Sequence, residues 1–193
     1  MAVFLQLHTL MKKIYFLPFS LLSLLVLINC SANASVVSSG RAEKMQSILY
    51  FNPEVFPNIE EIKEPTYSAF YSAVSEKMPL YRNFKMLRVD SEIPFDAQDS
   101  AQISEFCVNN NAQFAVVPKV KYFKVGIGKY VFSNQVIVSM KLFDAAGNFL
   151  AEADYDTFKK NSRILGSAEN SIKIGTGGAM KNIGKTLQSL KKS

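Results

Sequence analysis

Two cysteines, one histidine and a scattering of carboxylates are the stock from which this 193-residue chain can build covalent or metal chemistry. The histidine, His8, precedes the first lysines and belongs to the leader described below. A protein without that leader has no imidazole, so a histidine-dependent nucleophile or a Cys/His metal site cannot be assembled. Cys107 stands in Ile103-Ser-Glu-Phe106-Cys107-Val108, where it continues an apolar helical face, and is read as a small buried hydrophobe. Cys30 is different. It closes the run Leu27-Ile28-Asn29-Cys30, directly after an apolar stretch, where its sulfur can become the point of covalent attachment to lipid. If Cys30 is acylated, Cys107 is the sole thiol and no internal disulfide is available.

The carboxylates offer less. Glu152, Asp154 and Asp156 alternate with Phe149, Ala151, Ala153 and Tyr155, the pattern of a strand with one wet face, and not of two acids facing each other across a gap. Lys119, Lys121 and Lys141 are expected to face that acidic row. Two glycine patterns imitate phosphate loops. Gly178 to Gly184-Lys185-Thr186 has five intervening residues where a phosphate loop has four, and no strand precedes it. Gly126-Ile-Gly128 lacks the third glycine of a dinucleotide fingerprint. Both read as turn or helix-packing glycines. The expectations are therefore no catalytic residue, no metal and no cofactor.

The elements that position these residues begin with a leader: Lys12 and Lys13, then uncharged Ile14 to Ile28, then the cleavage zone. The apolar core falls short of the roughly 20 residues a membrane span requires, and Pro18 interrupts it. Translation is expected to start at Met11, which directly precedes the lysines. Residues 27 to 30 resemble the lipobox of bacterial lipoproteins, with Asn29 where Gly, Ala or Ser is commoner. The resemblance implies a diacylglycerol thioether on Cys30, cleavage before it, and anchoring to a bilayer through acyl chains that each contribute about 0.8 kcal/mol per buried methylene.

The resulting division is residues 1–29 as signal peptide, 30–44 as lipidated cysteine and flexible tether, and 45–193 as one domain. Residues 31–43 are small and polar, and such a coil spans roughly 20 Å. Without Lys12 and Lys13 the 22 basic residues fall to 20 against 16 acidic ones, a net charge of +4. That is too modest and too dispersed for nucleic acid, and export argues against such a partner.

Within the domain, Ser47 to Phe51 predicts a buried first strand stopped by Asn52-Pro53 and a loop. Tyr67, Phe70, Tyr71, Val74 and Met78 predict a helix that begins after Pro65 and ends at Pro79, its aromatic stripe forming core. Residues 85–90 predict a second strand, and 96–109 a second helix with Asp99 or Ser100 as N-cap and an exit through Asn109-Asn110-Asn111. A third strand starts at Phe114, with Pro118 marking a bulge or edge. Val136, Val138, Met140 and Leu142 share one face of a strand that turns at 144–148 into its antiparallel partner. Ala179, Ile183, Leu187 and Leu190 then line a closing helix, with Lys181, Lys185 and Lys192 away from that line. Read as a core helix this tail needs no function; read as a basic surface helix it binds anionic lipid.

The fold class is therefore α/β: a mixed sheet with helices packed on one face, in the order strand-helix-strand-helix-strand-strand-strand-helix. Over about residues 45–190 that order resembles the amino-terminal domain of TolB and its relatives, the curli secretion lipoprotein and the lipoprotein activators of penicillin-binding proteins. The resemblance rests on Ile48 to Phe51, the entry into Phe114-Ala-Val-Val-Pro118, the hairpin Val138 to Asn148 and the helix Ala179 to Leu190. It carries no catalytic residue with it. What it implies is a lipid-anchored envelope protein, in the outer membrane with its domain in the periplasm, acting as a non-enzymatic accessory or assembly factor through contacts with another envelope protein. A periplasmic carrier of lipid or a small ligand is the alternative, and a carboxylate-dependent hydrolase a further one. Ile127, Tyr130 and Phe132, apolar in a glycine-bearing loop, are the expected partner contacts.

Overall fold

The computed structural model describes residues 45–124, 132–160 and 166–190, and the compact unit they belong to is Lys44–Ser193. Cys30, the tether, Ile127 and Tyr130 lie outside the described residues, as does the side chain of Phe132. The elements are β1 (Gln46–Asn52), β2 (Glu54–Phe56), α1 (Glu60–Lys77), a 3-10 turn (Met78–Leu80), β3 (Phe84–Glu92), α2 (Ser100–Asn109), β4 (Phe114–Lys124), β5 (Phe132–Asp144), β6 (Phe149–Asp156), α3 (Thr157–Lys160) and α4 (Ala168–Leu190).

The sheet is six-stranded and mixed, in the order β3-β1-β4-β5-β6, with β2 pairing β4 beyond the end of β1. The first partners are parallel: β1 with β3 and β4, β2 with β4. β4, β5 and β6 then form an antiparallel meander. Pro118 is neither at a bulge nor on an edge strand. It falls between the β1 ladder at residues 114–116 and the β2 ladder at residues 119–121, an interruption of parallel pairing where a missing N–H is tolerated.

Period-two alternation sends Ile48, Tyr50, Val116, Val120, Val136, Val138, Met140 and Leu142 to one face, and all are buried. Against them lie α1, through Tyr67, Phe70, Tyr71 and Val74, and α4, through Ile172, Ala179, Met180, Ile183 and Leu187. α4 can settle this low because its backbone is bare where the sheet is tall: a Cβ on Gly178 would fall 1.9 Å from the Tyr155 ring, and one on Gly175 2.6 Å from Val138. The polar tips of the α1 stripe are satisfied in place. Tyr71 reaches the Tyr50 carbonyl at 3.0 Å under the Arg88 guanidinium, and the Thr66 and Tyr122 hydroxyls share a 2.6 Å hydrogen bond.

The opposite face holds Leu49, Phe51, Ala115, Val117 and Phe143 under Ile103 and Cys107 of α2 and under Ile93 and Phe95. Helices thus cover both faces, which corrects the expectation of a single covered face. The reason is that Leu49 and Phe51 interleave with Ile48 and Tyr50, so β1 is apolar on both sides and demands a second layer. α2 starts as expected, with the Asp99 carboxylate accepting from Ala101 N at 2.9 Å, and exits through Asn111 at φ 49°. α1 begins earlier than expected, at Glu60. Pro65 cannot donate to the Glu61 carbonyl four residues before it, and Glu61 is exposed to water.

Candidate functional site

α2 is only ten residues long and leaves part of the second face uncovered. The boundary is built by Glu54 and Lys119, directly opposite each other on β2 and β4. The Glu54 carboxylate accepts from Phe95 N at 2.7 Å and pairs with Lys119 at 2.9 Å, while Lys119 also holds Asp96 at 2.7 Å. That hydrogen bond from Lys119 keeps the Asp96 carboxyl below the usual carboxylate range. Lys141 donates to the Phe95 carbonyl at 2.8 Å and lies 4.3 Å from its ring centroid. These contacts fasten the segment that roofs Leu49 and Phe51. They also correct the expected pairing, because Lys119 turns to Glu54 and Asp96 instead of the acidic row of β6, although Lys141 does stand opposite Glu152.

Beyond the boundary the same face continues as an open platform. Across the strands run Phe56, Lys121, Ile137 and Asp156 in one row, then Glu54, Lys119, Ser139 and Asp154 in the next, all fixed by register. Phe56 is 52% exposed, with the Lys121 ammonium 5.8 Å from its ring centroid. Two residues further along β4, Phe123 meets Phe158 at 6.5 Å between centroids, and Phe158 is 59% exposed. Exposed aromatic rings interleaved with charges at one end of a sheet can bury apolar area against a second protein while the charges set its orientation.

The expected contact loop springs from this end, since β4 finishes at Lys124 and β5 opens at Phe132, with which Lys124 pairs. Phe56 and Phe158 were missed by sequence reading. Each is a lone phenylalanine beside a break, Phe56 before Pro57 and Phe158 after the acidic alternation, and only the register shows that they share a platform.

Other chemistry is sparse among the described residues. A polar cleft of about 480 Å³ between α2 and the β5–β6 turn is lined by Ser100, Lys141 and Glu152, but the Lys141 ammonium is committed to Phe95. No group of three or more Cys, His, Asp or Glu is arranged to hold a metal ion among the described residues. Cys107 is fully buried, and burial together with the nearby Asp144 charge pushes its thiol up to about 11. A thiol held there is almost wholly protonated at about pH 8, so native protein should label with maleimide only at the rate of opening, and unfolded protein at once. The Tyr67 to Met78 stripe is core, and the cavity beside Met78 holds only about 10 Å³.

No protein-family model matches the chain, and no curated protein matches it. Solved structures do. A PelC dodecamer from Paraburkholderia phytofirmans is 10% identical, with 72% of this chain and 86% of that chain covered and a TM-score of 0.47. A neuraminyllactose-binding hemagglutinin homolog from Helicobacter pylori is 9% identical over 75% of this chain and 84% of that one, with a TM-score of 0.40. Lipoprotein GNA1162 from Neisseria meningitidis is 10% identical over 77% and 99%, with a TM-score of 0.35. No helix of the described residues is long and apolar enough to cross a membrane.

Proposed function

We propose that this chain is a lipid-anchored bacterial envelope protein, attached through Cys30 to the outer membrane with its domain in the periplasm. In this reading it is a non-enzymatic accessory or assembly factor, as its sequence resemblance to the group of the TolB amino-terminal domain, the curli secretion lipoprotein and the lipoprotein activators of penicillin-binding proteins implies. The observation that carries the reading is the platform of Phe56, Lys121, Phe123 and Phe158: a charged sheet end on which two phenylalanines are more than half exposed, beside the loop that bears Ile127 and Tyr130 and runs into Phe132 at the start of β5. The aromatic stripe that would wall a carrier's pocket is spent on the core.

Two measurements test it. Intact mass of membrane-extracted protein should show a chain that begins at Cys30 and carries lipid, and Cys30→Ala should release the protein or stall its processing; a mature chain that retains Ile14 to Ile28 refutes the anchor. Tyr130→Ala and Phe132→Ala should weaken binding to a purified cross-linked partner by roughly 1 to 3 kcal/mol with the thermal midpoint nearly unchanged. A large fall in midpoint would assign the loop to the core instead.

A further inference from the structure

The exposed side of α4 is charged in one sense along most of its length. After Glu169, its charged residues are Lys173, Lys181 and Lys185, with no acid among them through Leu190. Lys173, Gly177, Lys181 and Lys185 follow one another at steps of four, each the neighbour of the last on a ridge that turns about 40° round the helix at every step. The stem of Lys77, the last residue of α1, packs over Gly177, its Cε 3.3 Å from where a Cβ would stand. Tyr81 seats against Gly184 further along α4, and Arg82 follows it, exposed. Lys77, Lys173 and Lys181 thus border one groove of about 710 Å³, whose apolar lining includes Leu80, Tyr81 and Ile174. Leu80 is 72% exposed, the largest apolar side chain standing free at this rim.

Acids are few here. Glu169 pairs with Lys173 at 2.9 Å, and Glu76 borders the groove and accepts from Ser72. Lys77 and Lys181 have no ion-pair partner among the described residues. The apolar side of α4 is already used, since Ile172, Ala179, Ile183 and Leu187 are buried on the sheet, so the helix does not lie in a bilayer as a free amphipathic segment. What remains is a rigid cationic surface with one projecting leucine.

We propose that this face, Lys77, Lys173 and Lys181 around Leu80, with Arg82 and Lys185 next in sequence to the Tyr81–Gly184 contact at its end, docks on the phosphate headgroups of an anionic bilayer, with Leu80 entering the interface. The inference rests on the anchored reading, because a domain held near a membrane by a short tether presents some face to it. Charge selects this one: ammonium groups near an anionic leaflet are attracted within a Debye length, and an exposed leucine adds apolar area that a hydrated polysaccharide would not reward. Each lysine at such a surface is worth roughly a fivefold change in binding.

The chain contains no tryptophan, so Leu80→Trp introduces a single reporter at an exposed position. The acylated full-length protein is placed in phosphatidylglycerol/phosphatidylethanolamine vesicles and, in parallel, in phosphatidylcholine vesicles. In the anionic vesicles the emission of the introduced indole should shift to the blue and be quenched by brominated lipid, and amine labelling of Lys77, Lys173, Lys181 and Lys185 should slow at least about fivefold. Lys121 and Lys159 on other surfaces should be unaffected. Lys77→Glu with Lys181→Glu and Lys185→Glu, or about 0.5 M salt, should abolish both signals at an unchanged thermal midpoint.

Equal lysine reactivity in the two vesicle types overturns the proposal, as does protection by soluble polyphosphate without protection by vesicles. The anchor is scored separately by intact mass. Acylated protein with unprotected lysines refutes this face alone, and unacylated protein whose lysines are protected on added phosphatidylglycerol vesicles refutes the anchor and supports the face.

Discussion

On one face of the sheet, Val116, Val120, Val138 and Met140 lie under two long helices; on the other, the same strands bear Val117, Lys119, Lys121, Ser139 and Lys141, and a ten-residue helix covers only the end nearest Leu49. The first face is finished as core and the second is divided, half core and half surface. Complete and partial burial thereby fall on different sides of shared strands, where alternation lets one residue be changed without disturbing its neighbour. The lysines and acids of the second face do both jobs at the boundary, since Glu54, Lys119 and Lys141 hold the roof over Leu49 and Phe51 and also mark where the open platform starts.

The comparison predicts that the most damaging substitutions lie on the first face. Phe70 is fully buried between α1 and the sheet, in ring contact with Tyr50 and Tyr71. Phe70→Ala should cost about 3 to 5 kcal/mol, read as a lower urea midpoint at unchanged slope. A loss below about 1 kcal/mol would mean that this face is not the main core.

The roof of the second face should be next. Gly147 has φ 80°, and a Cβ there would fall 2.1 Å from the Ser100 carbonyl oxygen at the start of α2. Gly147→Ala should cost about 1 to 2 kcal/mol from the left-handed backbone alone, with the contact adding to it. Because the strain is directed at α2, maleimide labelling of Cys107 should accelerate in this variant, whereas Phe70→Ala should raise it only in step with global unfolding.

These two sites also show what the sequence made legible. The Tyr67 to Met78 period and the Val136 to Leu142 alternation name the first face outright, because each element is apolar in a single stripe that can point only one way. The second layer was harder to see. β1 is apolar on both sides, and a continuous apolar run has no period to say how many layers it needs. β2 lies between Pro53 and Pro57 in a stretch that reads as loop, and its pairing with β4 is long-range, so neither the Glu54–Lys119 boundary nor the position of Phe56 can be derived from local pattern. The aromatic loop was visible as composition, whereas the platform beside it exists only through register.

A third substitution sharpens the account of the first face by improving it. The Thr176 hydroxyl is buried in α4 with no hydrogen-bond partner among the described residues. Thr176→Val keeps the shape and removes an unpaired polar group, so it should stabilise by up to about 1 kcal/mol, seen as a rise in thermal midpoint. A fall in midpoint would mean that the hydroxyl has a partner in solution, such as bound water.

The smallest expected change in stability is on the open platform, and there it is the most informative. Phe56 and Phe158 are more than half exposed, and the contacts they make, Lys121 over one ring and Phe123 beside the other, lie at the surface. A surface ring of this kind contributes little to folding, so Phe56→Ala and Phe158→Ala should each move stability by no more than about 0.5 kcal/mol. If the platform is an interface, the same truncations remove anchor area from the complex and should weaken partner binding by roughly 1 to 3 kcal/mol. Lys121→Glu should act through charge instead of area, altering the association rate and its salt dependence more than the dissociation rate. Should both alanine variants lower the thermal midpoint as Gly147→Ala does, the rings would belong to the core of this domain and the division between the two halves of the second face would have to be redrawn. Unchanged stability with unchanged binding would leave the division standing and move the interface elsewhere, with the loop that bears Ile127 and Tyr130 as the nearest remaining part to test.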